Sequence, residues 1–305
     1  MTPTPGSSAG FSRVIILGAG AVGSYYGSQL SRAAEVLLVG NPEHAAAVNS
    51  QGLKVKGAAA GVYRVKAETS VTEVPPDALI VLTTKAHDTE RALKPLKPLM
   101  RPDTVILLLQ NGLGNEEHAR SALGDAPTLL RALTTTGVDF VAPGSVDVKL
   151  PGETVLPDSD AGRRVAALLT SSSLRVRLAA DMKYEVWRKL TLNCVINPLT
   201  ALFGAPNYAI ATDALKPVRE GVVEECRKVA AAEGVELEAS LADDIAKALT
   251  SYTNISSMAQ DILKGRKTEI DFLNGRVSEL GRRHGVPTPI NDALTSLIRF
   301  KEEYG

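Results

Sequence analysis

Short apolar runs alternate with segments of helical periodicity through the first 180 residues. Apolar strands are expected in "RVIILGAG", "AEVLLVGN", "DALIVLTTKA" and "TVILLLQNGLG", and shorter strands of alternating polarity in "GLKVKG" and "YRVKAE". Apolar strands that alternate with helices are typical of βαβ units and a parallel sheet. Between Thr128 and about Leu156, turn residues separate short runs, which predicts antiparallel strands at the sheet edge. A helix is then expected at "RRVAALLTSSS".

After about residue 180 the pattern becomes that of amphipathic helices, and no strand is predicted. The expected helices are "YEVWRKLTLNCVI", "PVREGVVEECRKVAAAEG", "SLADDIAKALTSY", "SSMAQDILKGRKTEIDFLNGRVSELGRRHG" and "PINDALTSLIRFKEEYG". We therefore predict an α/β domain at residues 11–180, with a mostly parallel sheet and antiparallel edge strands, and an all-α domain at residues 181–305. Residues 1–10 lack the regions of a signal peptide and are expected to form a disordered tail. A boundary between two domains is a common place for a ligand site.

Composition narrows the function classes further. Lys plus Arg and Asp plus Glu both number 34, which argues against a binder of nucleic acid or of a membrane surface. The two cysteines, Cys194 and Cys226, lie in apolar contexts without metal-type spacing, so no metal site is expected. They indicate a reducing compartment such as the cytoplasm. No apolar run is long enough to span a bilayer.

A glycine-rich turn follows the first predicted strand. Gly18, Gly20 and Gly23 form a G-x-G-x-x-G pattern between that strand and a helix. In a Rossmann-type domain the first glycine permits the turn, the second lets a pyrophosphate approach, and the third lets helix and strand pack closely. The pattern therefore predicts dinucleotide binding by residues 18–23, namely Gly18, Ala19, Gly20, Ala21, Val22 and Gly23. A glycine turn without a ligand is the alternative.

The end of the second strand bears on which dinucleotide binds. An acidic residue there would bind the ribose 2′-hydroxyl of NAD, and an arginine would bind the 2′-phosphate of NADP. This chain has Asn41, which is neither. An amide can donate to a phosphate, so NADP is allowed, and NAD is not excluded.

Two further strands end in polar groups. "LIVLTTKA" places Lys85 after one strand, and "VILLLQNGLG" places Asn111 after another. Ligands of open parallel sheets lie beyond the carboxyl ends of the strands. Each residue alone would suit a solvated charge or a turn, but their corresponding positions favour a role in the site.

The helix that carries "WRKLTLNCVINPLTAL" holds an unusual polar stripe. Lys189, Asn193 and Asn197 are four residues apart and share one face, while the other faces are apolar. A buried ammonium requires a partner or a wet cleft. Pro198 is expected to bend or end the helix. The alternative is a stripe that is solvated or satisfied by backbone groups.

A second polar constellation lies in "TNISSMAQDILKGRKTEIDFLNG". Asn254 and Ser257 are three residues apart and are expected on one helix face. Glu269 comes three turns later, out of line with Ser257 unless the helix bends at Gly265. Ordinary surface helices carry such residues, so this segment is weak evidence by itself.

With these residues identified, the chain resembles the ketopantoate reductase (2-dehydropantoate 2-reductase) family. The resemblance extends from Val14 to the C-terminal helices and is carried by "GAGAVGSYYG", "TTKA", "QNGLGNE", "WRKLTLNCVINPLTAL" and "SSMAQDILKGRKTEIDFLNG". It implies a Rossmann domain joined to a helical domain like that of 6-phosphogluconate dehydrogenase, the latter serving substrate binding. The largely apolar C-terminal helices permit a homodimer. It also implies NADPH-dependent reduction of ketopantoate to pantoate, on the path to pantothenate and coenzyme A.

The resemblance also implies roles for individual residues. Lys189 corresponds to the general acid, and Glu269 to an acidic residue beside the cofactor and that lysine. Lys85 and Asn111 correspond to residues where cofactor and substrate meet. Substrate contacts are implied for Asn193, Asn197, Asn207, Asn254 and Ser257. Asn41 departs from the arginine that many members carry, which leaves NAD(H) open as the cofactor.

Two other interpretations remain at this point. No residue identifies the dimethyl diol carbon skeleton of ketopantoate, so a related reductase of another 2-keto acid fits the same motifs. A dinucleotide sensor without turnover fits the glycine turn but has no need of Lys189 with its amides.

Overall fold

The computed structural model describes residues 10–250 and 254–305, and the chain forms two compact units. The first comprises Met1–Gln110 and Asn115–Met182, and the second comprises Asn111–Gly114 and Lys183–Gly305. Of the tail predicted for residues 1–10, all but Gly10 lies outside the described residues. The boundary prediction placed the four residues Asn111–Gly114 with the first domain, whereas they belong to the second unit.

The first unit contains three sheets and five α-helices in its described residues. Its strands are β1 Val14–Leu17, β2 Val36–Val39, β3 Leu53–Gly57, β4 Gly61–Tyr63, β5 Lys66–Glu68, β6 Leu79–Leu82, β7 Val105–Leu108, β8 Thr128–Arg131, β9 Leu133–Thr134, β10 Gly137–Ala142, β11 Ser145–Leu150, β12 Glu153–Pro157 and β13 Arg175–Ala179. Its helices are α1 Ala21–Leu30, α2 Pro42–Gln51, α3 Thr89–Leu93, α4 Asn115–Leu123 and α5 Asp160–Ser171.

The main sheet is the predicted parallel, Rossmann-like one. Its order is β5-β2-β1-β6-β7-β8, and every neighbouring pair is parallel. Alternate residues of β1 face two separate hydrophobic clusters. Val14 and Ile16 belong to one cluster, and Ile15 and Leu17 belong to the other. Burial on both faces explains why these strands are continuous apolar runs. The carboxyl ends of β1, β2, β6 and β7 are followed by the glycine turn, Asn41, Lys85 and Asn111.

The predicted antiparallel edge strands were wrong for this sheet. Its edge strands, β5 and β8, are both parallel to their neighbours. The remaining strands form two other sheets, of order β10-β11-β3-β4 and β13-β12-β9. The "YRVKAE" strand is in fact split between β4 and β5, and β13 was not predicted. Alternating polarity indicates that a segment is a strand with one covered face, but it does not identify the strand that pairs with it.

The second unit is helical, and its described residues contain no strand. Its helices are α6 Met182–Phe203, α7 Lys216–Ala232, α8 Leu241–Leu249, α9 Ser257–Leu263, α10 Asn274–His284 and α11 Pro289–Tyr304. Their apolar faces form one buried cluster that includes Trp187, Val222 and Ile298. The single helix predicted from Ser256 to Gly285 is divided into α9 and α10, because the chain leaves the helix at Gly265 with φ +59°. Of the helices described in both units, none combines the length and apolarity that a bilayer span requires.

Pro198 was expected to bend or end α6, and it does not end it, since the helix continues to Phe203. Proline has no N–H, so the carbonyl of Cys194, four residues earlier, lacks its usual intrahelical partner. That carbonyl instead accepts a hydrogen bond of 3.0 Å from Nδ2 of Asn274. A donor from another helix thus replaces the missing one. Ser251, Tyr252 and Thr253, where the predicted "SLADDIAKALTSY" helix would end, lie outside the described residues.

Candidate active site

Two glycines of the turn in the first unit are required by packing. Gly18 has φ +107°, and a Cβ there would lie 2.5 Å from the backbone nitrogen of Thr84. A Cβ on Gly23 would collide with the carbonyl of Gly18 and the hydroxyl of Thr83. The Thr83 hydroxyl donates to that same carbonyl at 2.8 Å, which fixes the turn against the end of β6. Both glycines therefore allow β1, α1 and β6 to approach closely.

Gly20 differs, because packing does not require it. The nearest protein atom to a Cβ built there is the carbonyl oxygen of Gly18, 4.0 Å away. Gly20 is the exposed N-cap of α1, and no side chain caps that helix end. A helix N-terminus attracts anions through its N–H groups and its dipole. The turn thus fits the pyrophosphate of a dinucleotide, with Gly20 leaving space for it.

Asn41 begins α2 directly after β2, where the specificity residue was predicted. Its Oδ1 accepts a hydrogen bond of 2.9 Å from the backbone nitrogen of His44, so Asn41 is the N-cap of α2. This bond orients the amide and leaves Nδ2 as the outward donor.

His44, which sequence reasoning missed, ties the starts of α1 and α2 together. Its Nδ1 accepts from the backbone nitrogen of Gly144 at 3.0 Å, so the ring proton lies on Nε2, 3.1 Å from the hydroxyl of Ser24. Burial lowers the pKa of His44 and keeps the imidazole neutral. Ser24 follows Gly23 directly, so this bond connects the glycine turn to the helix that Asn41 caps. A single histidine in "NPEHAAAV" gave no signal of this.

Lys85 lies three residues beyond β6, in a loop that is hydrogen-bonded to Gln110, which follows β7. Nε2 of Gln110 donates to the Thr84 carbonyl at 3.0 Å and to the Thr89 hydroxyl at 2.8 Å, on either side of Lys85. Gln110 is 4 % exposed. Gln110, the residue directly before Asn111, thus fixes the backbone at Lys85. The sequence did not reveal this connection.

Asn111 and its loop are fixed within the second unit. Leu113 donates from its backbone nitrogen to the carbonyl of Phe272 at 3.0 Å. Gly112 has φ +84°, and a Cβ there would collide with that same carbonyl. Phe272 ends the short 3-10 turn that starts just after Glu269. The loop after β7 therefore packs against the segment that carries Glu269.

Lys189 meets Asn111 directly. Its Nζ donates to Oδ1 of Asn111 at 3.0 Å, and the lysine is half-buried on α6. One turn and two turns later come Asn193, half-buried, and Asn197, which is 7 % exposed. Within the described part of the chain, these two side-chain amides have no hydrogen-bond partner. The predicted stripe therefore exists, and its amides are available to a ligand.

Asn207 and Asn254 form a second amide pair. The backbone nitrogen of Asn207 donates to the Asn254 carbonyl at 2.9 Å, and its Nδ2 lies 3.3 Å from Oδ1 of Asn254. Oδ1 of Asn207 is buried and lacks a partner among the described residues. A buried acceptor without a donor is unfavourable unless a ligand supplies the hydrogen bond.

The prediction that Asn254 and Ser257 share a helix face was wrong, since α9 begins only at Ser257. Ser256 caps this helix, accepting from the backbone nitrogen of Ala259 at 3.1 Å, and its Oγ lies 2.7 Å from the hydroxyl of Thr200 on α6. A local cap competes successfully with the helix that periodicity predicted. Ser257 is exposed, whereas its neighbour Ser256 is buried.

Glu269 lies in the irregular segment between α9 and α10 and is 7 % exposed. Its backbone carbonyl accepts from the nitrogen of Phe272 at 3.0 Å. The chain does turn at Gly265, as the sequence allowed, so Glu269 lies outside the helix that Ser257 begins. The acid instead belongs to the turn against which the Asn111 loop packs.

Comparisons with known proteins decide the family. Residues 14–161 match the family model described as "Ketopantoate reductase PanE/ApbA", and residues 181–302 match its C-terminal counterpart. This chain belongs to the ketopantoate reductase family. It is therefore an NAD(P)H-dependent oxidoreductase of the Rossmann-like class.

Individual relatives agree over nearly the whole length. A 2-dehydropantoate 2-reductase of Pyrococcus horikoshii is 35 % identical over 301 residues, 96 % of this chain and 98 % of the relative. The crystal structure of a PanE/ApbA family ketopantoate reductase from Ralstonia eutropha JMP134 is 32 % identical, with a TM-score of 0.89 over 95 % of this chain and 98 % of that one. A D-mandelate dehydrogenase bound to NADH and anilino(oxo)acetate is 28 % identical, with a TM-score of 0.85 over 95 % and 98 %.

Proposed function

We propose that this protein is a 2-dehydropantoate 2-reductase, which reduces ketopantoate to pantoate with NADPH in the biosynthesis of pantothenate and coenzyme A. Relatives of that name at 30–35 % identity support the proposal. So does the polar stripe of Lys189, Asn193 and Asn197, which a protein that only senses dinucleotides would not need.

The first unit would hold the cofactor. The N-terminus of α1 and the open space at Gly20 suit the pyrophosphate, Asn41 the adenosine ribose, and Lys85 the region where cofactor and substrate meet. When bound, the nicotinamide supplies a hydride to the keto carbon of the substrate.

Lys189 would act as the general acid. Negative charge develops on the keto oxygen during reduction, and a cation with a transferable proton both stabilises and neutralises it. Asn111 accepts a hydrogen bond from the ammonium, which orients it. Proton transfer converts the alkoxide to the product hydroxyl and leaves a neutral amine. Glu269, buried beside the Asn111 loop, is proposed as the acidic partner of cofactor and lysine.

The observation that most favours ketopantoate is the buried Oδ1 of Asn207, which has no hydrogen-bond partner within residues 10–250 and 254–305. Asn193, Asn197, Asn254 and Ser257 offer donors for the keto and carboxylate oxygens of any 2-keto acid. An acceptor that is buried without a donor instead favours a substrate with a hydroxyl group of its own. Ketopantoate carries such a hydroxyl, whereas a simple branched or aromatic 2-keto acid does not.

Trimethylpyruvate tests this assignment, because it is ketopantoate without the hydroxymethyl oxygen. We expect its kcat/KM to be about 10- to 100-fold lower, since leaving a buried polar group unsatisfied costs about 1–3 kcal/mol. In Asn207→Leu the two substrates should converge, since the acceptor is gone. Initial rates of NADPH oxidation measure both. Equal kcat/KM for the two acids in the wild type would contradict a hydroxyl-reading Asn207.

A reductase of an aromatic 2-keto acid is the second candidate. It is favoured by the likeness to the D-mandelate dehydrogenase structure. Phenylglyoxylate in the same assay distinguishes the candidates, and a kcat/KM above that for ketopantoate would establish this one instead.

The choice between NADPH and NADH is expected to depend on Asn41. No carboxylate at the end of β2 repels a 2′-phosphate, so we propose NADPH as the preferred cofactor, less strongly than in relatives with arginine there. Asn41→Asp keeps the cap of α2 but adds a negative charge. It should lower the ratio of kcat/KM for NADPH to that for NADH by about 10- to 100-fold, as expected for repulsion of about 1–3 kcal/mol.

Asn41→Ser is the matched control, because serine also caps the helix but carries no charge. Its cofactor ratio should stay near that of the wild type. Asn41→Arg should tighten NADPH binding through charged bonds about twice as strong as neutral ones. It should also lower the free energy of unfolding by about 1 kcal/mol, because the cap is lost. A wild type that prefers NADH would overturn this account of Asn41.

A further inference from the structure

Asn193 and Asn197, whose amides are proposed to bind the substrate, lie next to the two residues of α6 between which a helical hydrogen bond is missing. Asn193 precedes Cys194, whose carbonyl would bond to the N–H of residue 198 in a regular helix, and Asn197 precedes Pro198. Proline in a helix interior removes that bond, and its ring crowds the carbonyl four residues earlier, which usually kinks the helix. The relative position of the two amides therefore depends on what holds the Cys194 carbonyl.

Asn274 holds it. This residue begins α10, is fully buried, and donates from Nδ2 to the Cys194 carbonyl at 3.0 Å. The second proton of the same Nδ2 goes to Oδ1 of Asn291 at 2.9 Å. Asn274 lies in "DFLNG", a part of the family motif that the proposed function does not use.

The donor is itself fixed by a chain of buried bonds. Asn291, at the start of α11, donates to Glu225 of α7 from Nδ2 at 2.7 Å and from its backbone nitrogen at 2.9 Å. Ile290 adds a third bond to that carboxylate, at 2.8 Å. A carboxylate at the N-terminus of α11 suits the helix dipole.

This series of hydrogen bonds fixes the orientation of the side-chain amides of Asn274 and Asn291. Glu225 only accepts, so Asn291 must turn its NH₂ group toward the carboxylate and its oxygen toward Asn274. Turning the Asn274 amide over would place its oxygen against two acceptors. Its own Oδ1 stays buried without a partner among the described residues. Three helices thus hold one donor against the carbonyl that Pro198 frees.

We propose that Asn274 is a positioning residue for the reaction: by replacing the hydrogen bond lost at Pro198, it sets the placement of Asn193 and Asn197 toward the substrate. The inference rests on the proposed function, because it assigns those amides to the keto acid. Asn274 is fully buried, so we expect it to act through α6 and not by contact with either ligand.

The test combines Asn274→Leu, which removes the donor at similar volume, with Pro198→Ala, which restores the N–H inside the helix. Asn274→Leu should raise KM for ketopantoate about 10- to 100-fold, as a small misplacement of binding groups does. The Kd of NADPH should stay within about twofold of the wild-type value, since distant sites are independent. Pro198→Ala alone should change KM little.

The double variant separates positioning from general stability. With alanine at position 198 the Cys194 carbonyl has an intrahelical donor again, so KM should return to within about threefold of Pro198→Ala, as strong coupling between neighbouring sites predicts. Its melting temperature should remain low, because Oδ1 of Asn291 still lacks its donor. Should Asn274→Leu fail to fold, Asn274→Ser takes its place with the same expectations.

A wild-type KM in folded Asn274→Leu, or a KM that Pro198→Ala does not recover, would overturn the proposal while leaving the function intact. A wild type without ketopantoate turnover would overturn the function and this inference with it.

Discussion

Lys189→Ala is expected to lower kcat for ketopantoate reduction by about 10²–10⁴-fold, the usual loss for one general acid. The reason is that the charge developing on the keto oxygen would lose both its cation and its proton. Binding of NADPH should persist, because the glycine turn and Asn41 belong to the other unit. Steady-state kinetics with ketopantoate and a fluorescence titration with NADPH measure the two effects.

Lys183→Ala is the matched control for this prediction. Lys183 lies on the same helix but is exposed and donates to the carbonyl of Glu233, away from the amide stripe. Its removal should leave kcat near the wild-type value. Lys189→Arg keeps the positive charge without a readily transferable proton, so it should bind the keto acid and still turn over poorly. Wild-type kcat in Lys189→Ala at neutral pH would mean that another group supplies the proton.

Gly20→Asp should abolish most cofactor binding while leaving the fold intact. Aspartate is a favoured N-cap and packing leaves space for a side chain there, so α1 should be stabilised if it changes at all. Its carboxylate would stand where the pyrophosphate is expected. Repulsion of about 1–4 kcal/mol between charges near 4 Å corresponds to a rise in the Kd of NADPH of about 10- to 1,000-fold.

Two other glycine variants give this prediction its controls. Gly20→Asn has the same shape and capping ability without the charge, so its Kd should rise much less. Gly23→Ala should instead lower the melting temperature, because its Cβ would collide with Gly18 and Thr83. Calorimetry and NADPH titration on all three variants are needed. Equal Kd values for Gly20→Asp and the wild type would show that the phosphates bind elsewhere.

Much of the site could be predicted because its signals are local. The apolar runs of β1, β2, β6 and β7 identify a parallel sheet, and the residues after them are then expected at its carboxyl edge. The spacing of Lys189, Asn193 and Asn197 is likewise a property of one helix. In each case the arrangement follows from hydrophobic patterning or helical spacing over a few neighbouring residues.

The remaining features depend on partners distant in the chain. The bond from Asn274 to Cys194 spans 80 residues, and that from Gly144 to His44 spans 100. Pro198 was expected to bend or end α6, but the helix continues to Phe203, and a donor from α10 replaces the hydrogen bond lost at the proline. The cap of α9, Ser256, is likewise bonded to Thr200 of α6, 56 residues away. Such compensations are long-range packing outcomes that no local pattern reveals.

The central claim is that this chain reduces a hydroxylated 2-keto acid by hydride transfer from a nicotinamide. Its most direct test is the initial rate of NADPH oxidation by the purified protein with ketopantoate, with pantoate identified as the product. We predict a kcat/KM of at least about 10⁴ M⁻¹s⁻¹, the lower end for enzymes acting on their own substrates. A rate no higher than that of a blank without keto acid would contradict it.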